Sequence, residues 1–155
     1  MIALKLNNMK KEVNRNDLIF PDLSYKIIGC AYDVYNALGP GHLERVYQKA
    51  LATALKDAGI VFKEQAPLNI FFKGASVGKG YVDFLIENEI ILELKREIRS
   101  GRAYLKQILN YMHSGKMALA ILINFATDGV ITKRLVLEEY YNPASQNSSQ
   151  TPKPS

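Results

Sequence analysis

The sequence has few of the features that crosslink a chain or insert it into a membrane. Cys30 is the only cysteine in 155 residues, which excludes an internal disulfide and a zinc site built from several cysteines. No apolar run approaches the roughly 20 residues of a membrane span. The amino terminus also lacks the apolar core of a secretory signal. We therefore expect a cytoplasmic protein with no membrane contact.

Acidic residues are fewer than basic ones. The chain carries 20 Lys and Arg against 15 Asp and Glu, which gives a formal net charge of +5. Basic side chains displace the counterions condensed on phosphates, so this surplus favours a polyanionic partner such as nucleic acid. Charge alone does not distinguish nucleic acid from another acidic surface.

Length and composition predict one domain. A chain of 155 residues can bury one sizeable core around a sheet but has no room for a second full domain. We expect an N-terminal extension over 1–21 and the folded domain over 22–141. Residues 142–155 are polar and rich in Ser and Pro, a composition typical of a disordered tail.

The succession of helical and strand patterns predicts a mixed α/β fold. Apolar residues recur at helical spacing over 23–38 and 43–55, on either side of a Gly-Pro-Gly turn. The patterns that follow predict strands over 60–62, 68–72, 80–86 and 90–95, a helix over 102–114, and strands over 117–125 and 131–137. The expected architecture is one mixed sheet flanked by helices, with the early strands forming an antiparallel meander.

Two ionisable side chains lie at the end of an apolar strand. Residues 90–95 read Ile-Ile-Leu-Glu-Leu-Lys, so Glu93 and Lys95 point to one face while Leu92 and Leu94 point to the other. The preceding strand carries Asp83, and the turn at 87–89 can bring Asp83 opposite Glu93. Two carboxylates that converge in this way repel each other unless a cation or a proton lies between them.

A hard divalent ion between these carboxylates predicts chemistry on a phosphate. Magnesium prefers a few carboxylate oxygens, completes its shell with water, and polarises a phosphate beside it. The ammonium of Lys95 can orient or help deprotonate the attacking water and offset charge in the transition state. The alternative is structural: Glu93 and Lys95 form a surface ion pair, and Asp83 satisfies a turn.

This constellation resembles that of the PD-(D/E)XK nuclease superfamily, whose core is a helix, a strand hairpin bearing D...(D/E)-x-K, a helix and a further strand. Upstream, residues 41–47 read Gly-His-Leu-Glu-Arg-Val-Tyr and are similar to the motif of the GxxExxY family, a bacterial branch of that superfamily. The resemblance covers roughly residues 24–137. The sequence has Val82 where the superfamily name has proline, a difference that removes no chemical group.

The resemblance implies roles for individual residues. Asp83 and Glu93 would hold Mg²⁺ or Mn²⁺, and Lys95 would be the catalytic lysine. Glu44 matches a helix acid that many members place near the metal, with a solvated surface acid as the alternative. Gln107 matches a glutamine whose amide contacts phosphate or base. Tyr47 shares the helix face of Glu44 and lies either at the site or in the core.

A basic stretch beside the site consists of Lys95, Arg96, Arg99, Arg102 and Lys106. It either follows a nucleic-acid backbone or forms a solvated face. Tyr111, one turn after Gln107, either stacks on a base or packs against the protein. We expect a metal-dependent nuclease acting on DNA. The alternative is a nucleic-acid-binding or accessory module that has the same fold and little turnover, and the oligomeric state stays open.

Overall fold

Among the residues that the structure describes, two helices precede a five-stranded sheet, and a third helix connects the third and fourth strands of that sheet. The computed structural model describes residues 19–95 and 102–144. Its elements are α1 (Pro21–Leu38), α2 (Glu44–Asp57), β1 (Phe62–Phe72), β2 (Ala75–Ile86), β3 (Ile90–Leu94), α3 (Arg102–Gly115), β4 (Leu119–Ala126), β5 (Gly129–Val136) and a short 3-10 helix (Glu138–Tyr140). The mixed α/β architecture expected from apolar periodicity is confirmed.

The first two strands are longer than the sequence pattern predicts. In place of the separate strands expected at 60–62 and 68–72, one strand, β1, runs from Phe62 to Phe72, and β2 begins at Ala75 rather than at residue 80. They form an antiparallel hairpin, here called the β1–β2 ribbon (residues 62–86), which turns at Lys73 and Gly74 with φ values of 48° and 79°. Backbone pairing across a hairpin does not need apolar side chains, so polar and Gly-rich segments joined the strands.

The strand order is β1-β2-β3-β4-β5, and every neighbouring pair is antiparallel except β3–β4, which is parallel. A parallel pair needs a crossover connection, and α3 lies within that connection. All five residues of β3 are buried, because helices cover both faces of the sheet at its centre.

The two faces of the sheet have separate cores. On one face, Phe84 and Leu92 pack with residues of α1 and α2. On the other face, Ile91 and Leu122 pack with Ile108 and neighbouring residues of α3. The sheet therefore holds two helices on one side and one on the other.

The turn between α1 and α2 is fixed by Tyr47. The Tyr47 hydroxyl donates to the Gly39 carbonyl at 2.6 Å, and its ring stacks on Phe125 at 4.4 Å between centroids. Gly39 and Gly41 have φ values of 69° and 91°, which favour glycine. Of the two positions considered for Tyr47, the structure gives the core one, and this contact fixes where α2 begins with Glu44.

Of the expected extension over 1–21 and the expected tail over 142–155, residues 1–18 and 145–155 lie outside the described residues. Within residues 19–95 and 102–144, the helices are too short or too polar to cross a membrane.

Candidate active site

The candidate site lies where β2 and β3 stop pairing. The last paired residues are Phe84 and Leu92, one step before Asp83 and Glu93. Side chains continue the hydrogen bonding: the Asp83 N–H donates to Glu93 Oε1 at 3.0 Å, and the Leu94 N–H donates to Asp83 Oδ2 at 2.8 Å. Each carboxylate therefore satisfies a backbone donor that the parting strands would leave unpaired, and this holds both acids in place.

Asp83 also marks a change of face along β2. Phe84 packs on the side of α1 and α2, whereas Val82, two residues earlier, packs on the α3 side. A regular strand would direct both side chains to one face. On the neighbouring strand Gln65 has a φ of 47°, so the ribbon backbone is irregular at this point, and Gln65 Nε2 lies 3.5 Å from Asp83 Oδ1.

The two carboxylates cannot both be charged at low cost. Glu93 is only 7% exposed. Desolvation, followed by the charge of Asp83, raises the pKa of Glu93 from 4.5 to about 8. With no cation present, the pair therefore retains a proton at neutral pH. A divalent ion placed at the pair would replace that proton and remove the repulsion.

Lys95 lies over an aromatic ring beside the acids. Its Nζ is 4.4 Å from the centroid of the Tyr104 ring, in the first turn of α3. The Tyr104 hydroxyl is buried and has no hydrogen-bond partner. Burial, then the charges of Glu93, Asp83 and Glu44, raises the Tyr104 pKa above its ordinary value. Tyr104 is thus within electrostatic reach of all three acids and in contact with the lysine.

A second buried polar atom without a partner lies on β4. Leu94 pairs with Ile123, and the Lys95 N–H donates to the Ile123 carbonyl at 2.8 Å, so Asn124 follows directly beside Lys95. Asn124 is 7% exposed, and its Oδ1 accepts no hydrogen bond. Across residues 19–95 and 102–144, this oxygen and the Tyr104 hydroxyl are the two buried side-chain polar atoms without a partner. Both belong to residues next to Lys95, and buried polar atoms without a partner are uncommon in folded proteins.

These residues fit a divalent cation. Asp83 and Glu93 each use one oxygen on a backbone N–H. Magnesium commonly uses one or two carboxylates and fills its remaining positions with water and substrate phosphate. In the described part of the chain, no three His, Cys, Asp or Glu side chains are grouped closely enough to hold one ion. The protein would thus supply two carboxylates, and the remaining ligands would come from solvent and substrate.

The structure separates Glu44 from this pair. Glu44 is exposed at the first residue of α2 and does not join Asp83 and Glu93 in a three-carboxylate cluster. Its charge nevertheless acts on the Tyr104 hydroxyl. The expected contact of Glu44 with a metal through water stays a prediction.

The remaining predicted residues lie on or before α3. Gln107 is exposed, and its Nε2 donates to the Tyr111 hydroxyl at 2.8 Å. Tyr111 is buried, and a Cβ atom at Gly80 would overlap its ring, so Tyr111 packs on the ribbon instead of lying open to a base. Arg102 and Lys106 are exposed on α3. The other two basic residues of the predicted stretch, Arg96 and Arg99, lie outside the described residues.

Sequence reasoning missed Tyr104 and Asn124. The sequence does mark Asn124 as unusual, because it is a lone polar residue near the end of the apolar run 117–125. Tyr104 precedes the buried Ile108 by one helical turn, so helical spacing alone marks it as inward-facing. Its position beside Lys95 depends on how α3 packs on the sheet, which periodicity does not reveal.

Comparison of the sequence with those of known protein families identifies the family of this chain. The sequence model of the PD-(D/E)XK nuclease superfamily matches residues 21–135, well over half of the chain. The chain belongs to the PD-(D/E)XK nuclease superfamily. Nucleases of this superfamily generally use divalent metal ions, which agrees with the paired carboxylates of this PD-(D/E)XK domain.

Solved structures similar to this PD-(D/E)XK chain include an alkaline exonuclease, LHK-Exo, from Laribacter hongkongensis. It is 11% identical with a TM-score of 0.42, and the match covers 75% of this chain and 83% of that chain. LHK-Exo in complex with dAMP is 10% identical with a TM-score of 0.43, covering 76% and 83%. No curated protein matches the chain.

Proposed function

We propose that this protein is a metal-dependent nuclease that hydrolyses phosphodiester bonds in DNA. The proposal depends chiefly on one observation: Asp83 and Glu93 converge where their strands part, and each is oriented by a backbone N–H. Membership of the PD-(D/E)XK superfamily supports a nucleic-acid substrate and a divalent ion. The net charge of +5 is consistent with a polyanionic partner.

The acidic side chains would bind the metal ion, and the basic side chain would act on the water and the phosphate. Asp83 and Glu93 would hold Mg²⁺ or Mn²⁺, and this ion supplies Lewis-acid polarisation of the phosphate and lowers the pKa of a bound water. Lys95 would orient the attacking water and offset negative charge as the phosphorus–oxygen bond breaks. Tyr104 would keep the Lys95 ammonium in place through its ring, and its free hydroxyl would donate to a phosphate oxygen or a water.

Residues around this centre would bind the substrate. Arg102 and Lys106 are exposed on the helix that carries Tyr104, and together with Arg96 and Arg99 they would contact the phosphate backbone. The Gln107 amide, at present bonded to Tyr111, would exchange that partner for phosphate or base.

Finer assignments follow from the sequence. We assign the chain to the GxxExxY branch because Gly41, Glu44 and Tyr47 have the spacing of its motif. In this structure the tyrosine of that motif fixes the α1–α2 turn, which places the glutamate at the first residue of α2. We place the protein in the cytoplasm, since its one cysteine is a buried thiol and needs no oxidising compartment.

A cleavage assay tests the proposal. The purified protein is incubated with end-labelled single-stranded DNA, duplex DNA and RNA of one sequence, in Mg²⁺, in Mn²⁺ and in EDTA. We expect metal-dependent cleavage of DNA that falls by about 100-fold or more in Asp83→Ala and in Lys95→Ala. Asp33→Ala and Lys56→Ala, which remove an exposed acid and an exposed lysine from α1 and α2, serve as matched controls and should cut normally.

Two results would contradict the proposal. Cleavage that persists in both site variants would place the chemistry elsewhere. Tight DNA binding without cleavage in either metal would instead favour the accessory module.

A further inference from the structure

The outer part of the β1–β2 ribbon exposes apolar side chains to solvent. Phe71, Phe72, Val77 and Tyr81 are between 50% and 62% exposed, although apolar residues of this size usually lie inside a domain. β3 pairs only with residues 84–86 of β2, so this part of the ribbon extends beyond the sheet as two strands. Exposed patches of this kind mark interaction sites.

The side chains of this segment sort onto two faces. Ala66 and Gly80 face α3, where Gly80 lies under the Tyr111 ring. Strand residues alternate, and cross-strand partners share a face, so the opposite face carries Tyr81 beside Pro67, Lys79 beside Asn69, and then Phe71. The extra residue at the irregularity between Ile70 and Phe71 belongs to β2, so β1 keeps its alternation. We call this surface the open face of the ribbon: Pro67, Asn69, Phe71, Lys79 and Tyr81.

The open face and the turn at its end combine aromatic rings with positive charge. Residues 65–82 contain two lysines, Lys73 and Lys79, and no acidic residue. The Lys73 Nζ lies 5.4 Å from the centroid of the Phe72 ring at the ribbon's turn. Aromatic rings that stack on bases, interspersed with cations that bind phosphates, are the features by which proteins bind single strands. Bases in a duplex are stacked on one another and offer no free face to a side chain.

The open face also leads to the candidate active site. Tyr81 precedes Asp83 by two residues, about 7 Å along a strand. Phe71 lies four residues beyond Pro67, the partner of Tyr81, which puts the two rings about 13 Å apart. At Asp83 the odd-numbered residues of β2 change from the open face to the α3 side, where Leu85 packs. A strand bound along the open face would therefore pass close to Asp83, at the point where the side chains of β2 change face.

We propose that the open face of the ribbon binds single-stranded DNA, with Tyr81 and Phe71 stacking on bases and Lys79 contacting phosphate. The inference rests on the nucleic-acid substrate proposed above and adds where, and in which form, that substrate binds. A second copy of this chain is a less favourable partner for this surface than single-stranded DNA. Pairing along one free edge of the ribbon, that of β1, is disfavoured by Pro67, which has no N–H to donate.

Fluorescence anisotropy tests the proposal in EDTA, where a bound strand is not cut. A labelled single strand and the duplex of the same sequence are titrated with the wild type and with Phe71→Ser/Tyr81→Ser. We expect the double variant to bind the single strand at least fivefold more weakly, roughly the loss of one stacked base, with little change for the duplex. Tyr32→Ser, which removes an exposed tyrosine from α1, is the matched control and should bind like the wild type.

Lys79→Gln provides an independent readout through salt. The slope of log K against log salt concentration for the single strand should become shallower by about 0.7 if Lys79 neutralises one phosphate. An unchanged slope, together with unchanged binding by the double variant, would overturn the inference. So would a dimer, detected by sedimentation, that the double variant dissociates without any loss of single-strand binding.

These outcomes separate the inference from the proposed nuclease activity. Metal-dependent cleavage by the wild type, with normal single-strand binding and cutting by the double variant, would leave the nuclease and overturn the inference. Ribbon-dependent binding of single strands without cleavage in any metal would support the inference and overturn the nuclease.

Discussion

The central strand β3 and the outer part of the β1–β2 ribbon differ in how far their residues are buried. All five residues of β3 are buried, and helices cover both of its faces. The first five residues of β2, beyond the reach of β3, are all exposed. The candidate site takes Glu93 from the buried strand and Asp83 from the strand that leads out to the ribbon. The pair of acids therefore lies between a buried strand, which holds Glu93 in place, and an exposed ribbon, from which a substrate can approach Asp83.

This difference explains why two acidic residues can persist beside a buried strand. A carboxylate inside the fully paired sheet would be desolvated without partners, which is costly. At the point of parting, two backbone N–H groups lose their ladder partners, and the carboxylates accept from them. The cost that remains is the mutual repulsion of the acids, and a divalent ion would remove it.

Substituting one phenylalanine in each region should give the largest difference in the free energy of unfolding. Phe84→Ala empties a fully buried position and should lower the free energy of unfolding by about 3 to 5 kcal/mol. Phe72→Ala, at a position that is 62% exposed, should change it by no more than about 0.5 kcal/mol. Urea unfolding followed by circular dichroism measures both. Equal losses would show that the ribbon is packed rather than free.

Removing the unpartnered hydroxyl should separate activity from stability. Tyr104→Phe keeps the ring under Lys95 but deletes the donor, so kcat for DNA cleavage should fall by about 10- to 100-fold. The free energy of unfolding should stay level or rise, because the lost hydroxyl is buried without a partner. Tyr111→Phe is the matched control: it breaks the bond from Gln107 and should leave kcat near the wild-type value. A stability loss in Tyr104→Phe with kcat unchanged would assign Tyr104 a packing role.

The raised pKa of Glu93 should appear as a pH dependence of stability. Between pH 4.5 and about 8 the unfolded chain gives up the Glu93 proton and the folded, metal-free protein retains it. The folded state then binds more protons, so the free energy of unfolding falls as pH rises through this window. Glu93→Gln cannot ionise, and its stability relative to the wild type should rise by roughly 3 kcal/mol from pH 5 to pH 8, at about 1.4 kcal/mol per pH unit.

Urea unfolding at pH 5, 6, 7 and 8 in EDTA gives this difference for the two proteins. A constant difference across the series would mean that Glu93 ionises at its ordinary pKa, and that neither burial nor the charge of Asp83 raises it.

Much of the fold followed from the sequence because its signals were local. Apolar periodicity identified α1, α2 and α3. The nearly continuous apolar run over 117–125 is typical of a strand buried on both faces, as residues 119–124 of β4 are. The closeness of Asp83 and Glu93 also followed, since strand alternation and a short turn leave few other arrangements.

What the sequence did not reveal depends on contacts across the fold. The extension of β1 and β2 into one long ribbon comes from backbone pairing of polar and Gly-rich segments, which carry no hydrophobic pattern. The reversal of face at Asp83 requires an irregular backbone at Gln65 on the neighbouring strand. Tyr104 reaches Lys95 only because α3 packs over the end of β3. Interactions of this kind depend on how the elements pack together, and spacing along one element does not determine them.

We propose that Asp83 and Glu93 hold one divalent ion in place of the proton that the metal-free pair retains at neutral pH. Isothermal titration of the metal-free protein with Mn²⁺ at pH 7, in buffers of different ionisation enthalpy, measures both the ion and the proton. We expect one ion per chain, release of a proton on binding, and loss of both in Asp83→Asn and Glu93→Gln. Saturable binding that neither substitution weakens, or no binding in the wild type, would contradict it.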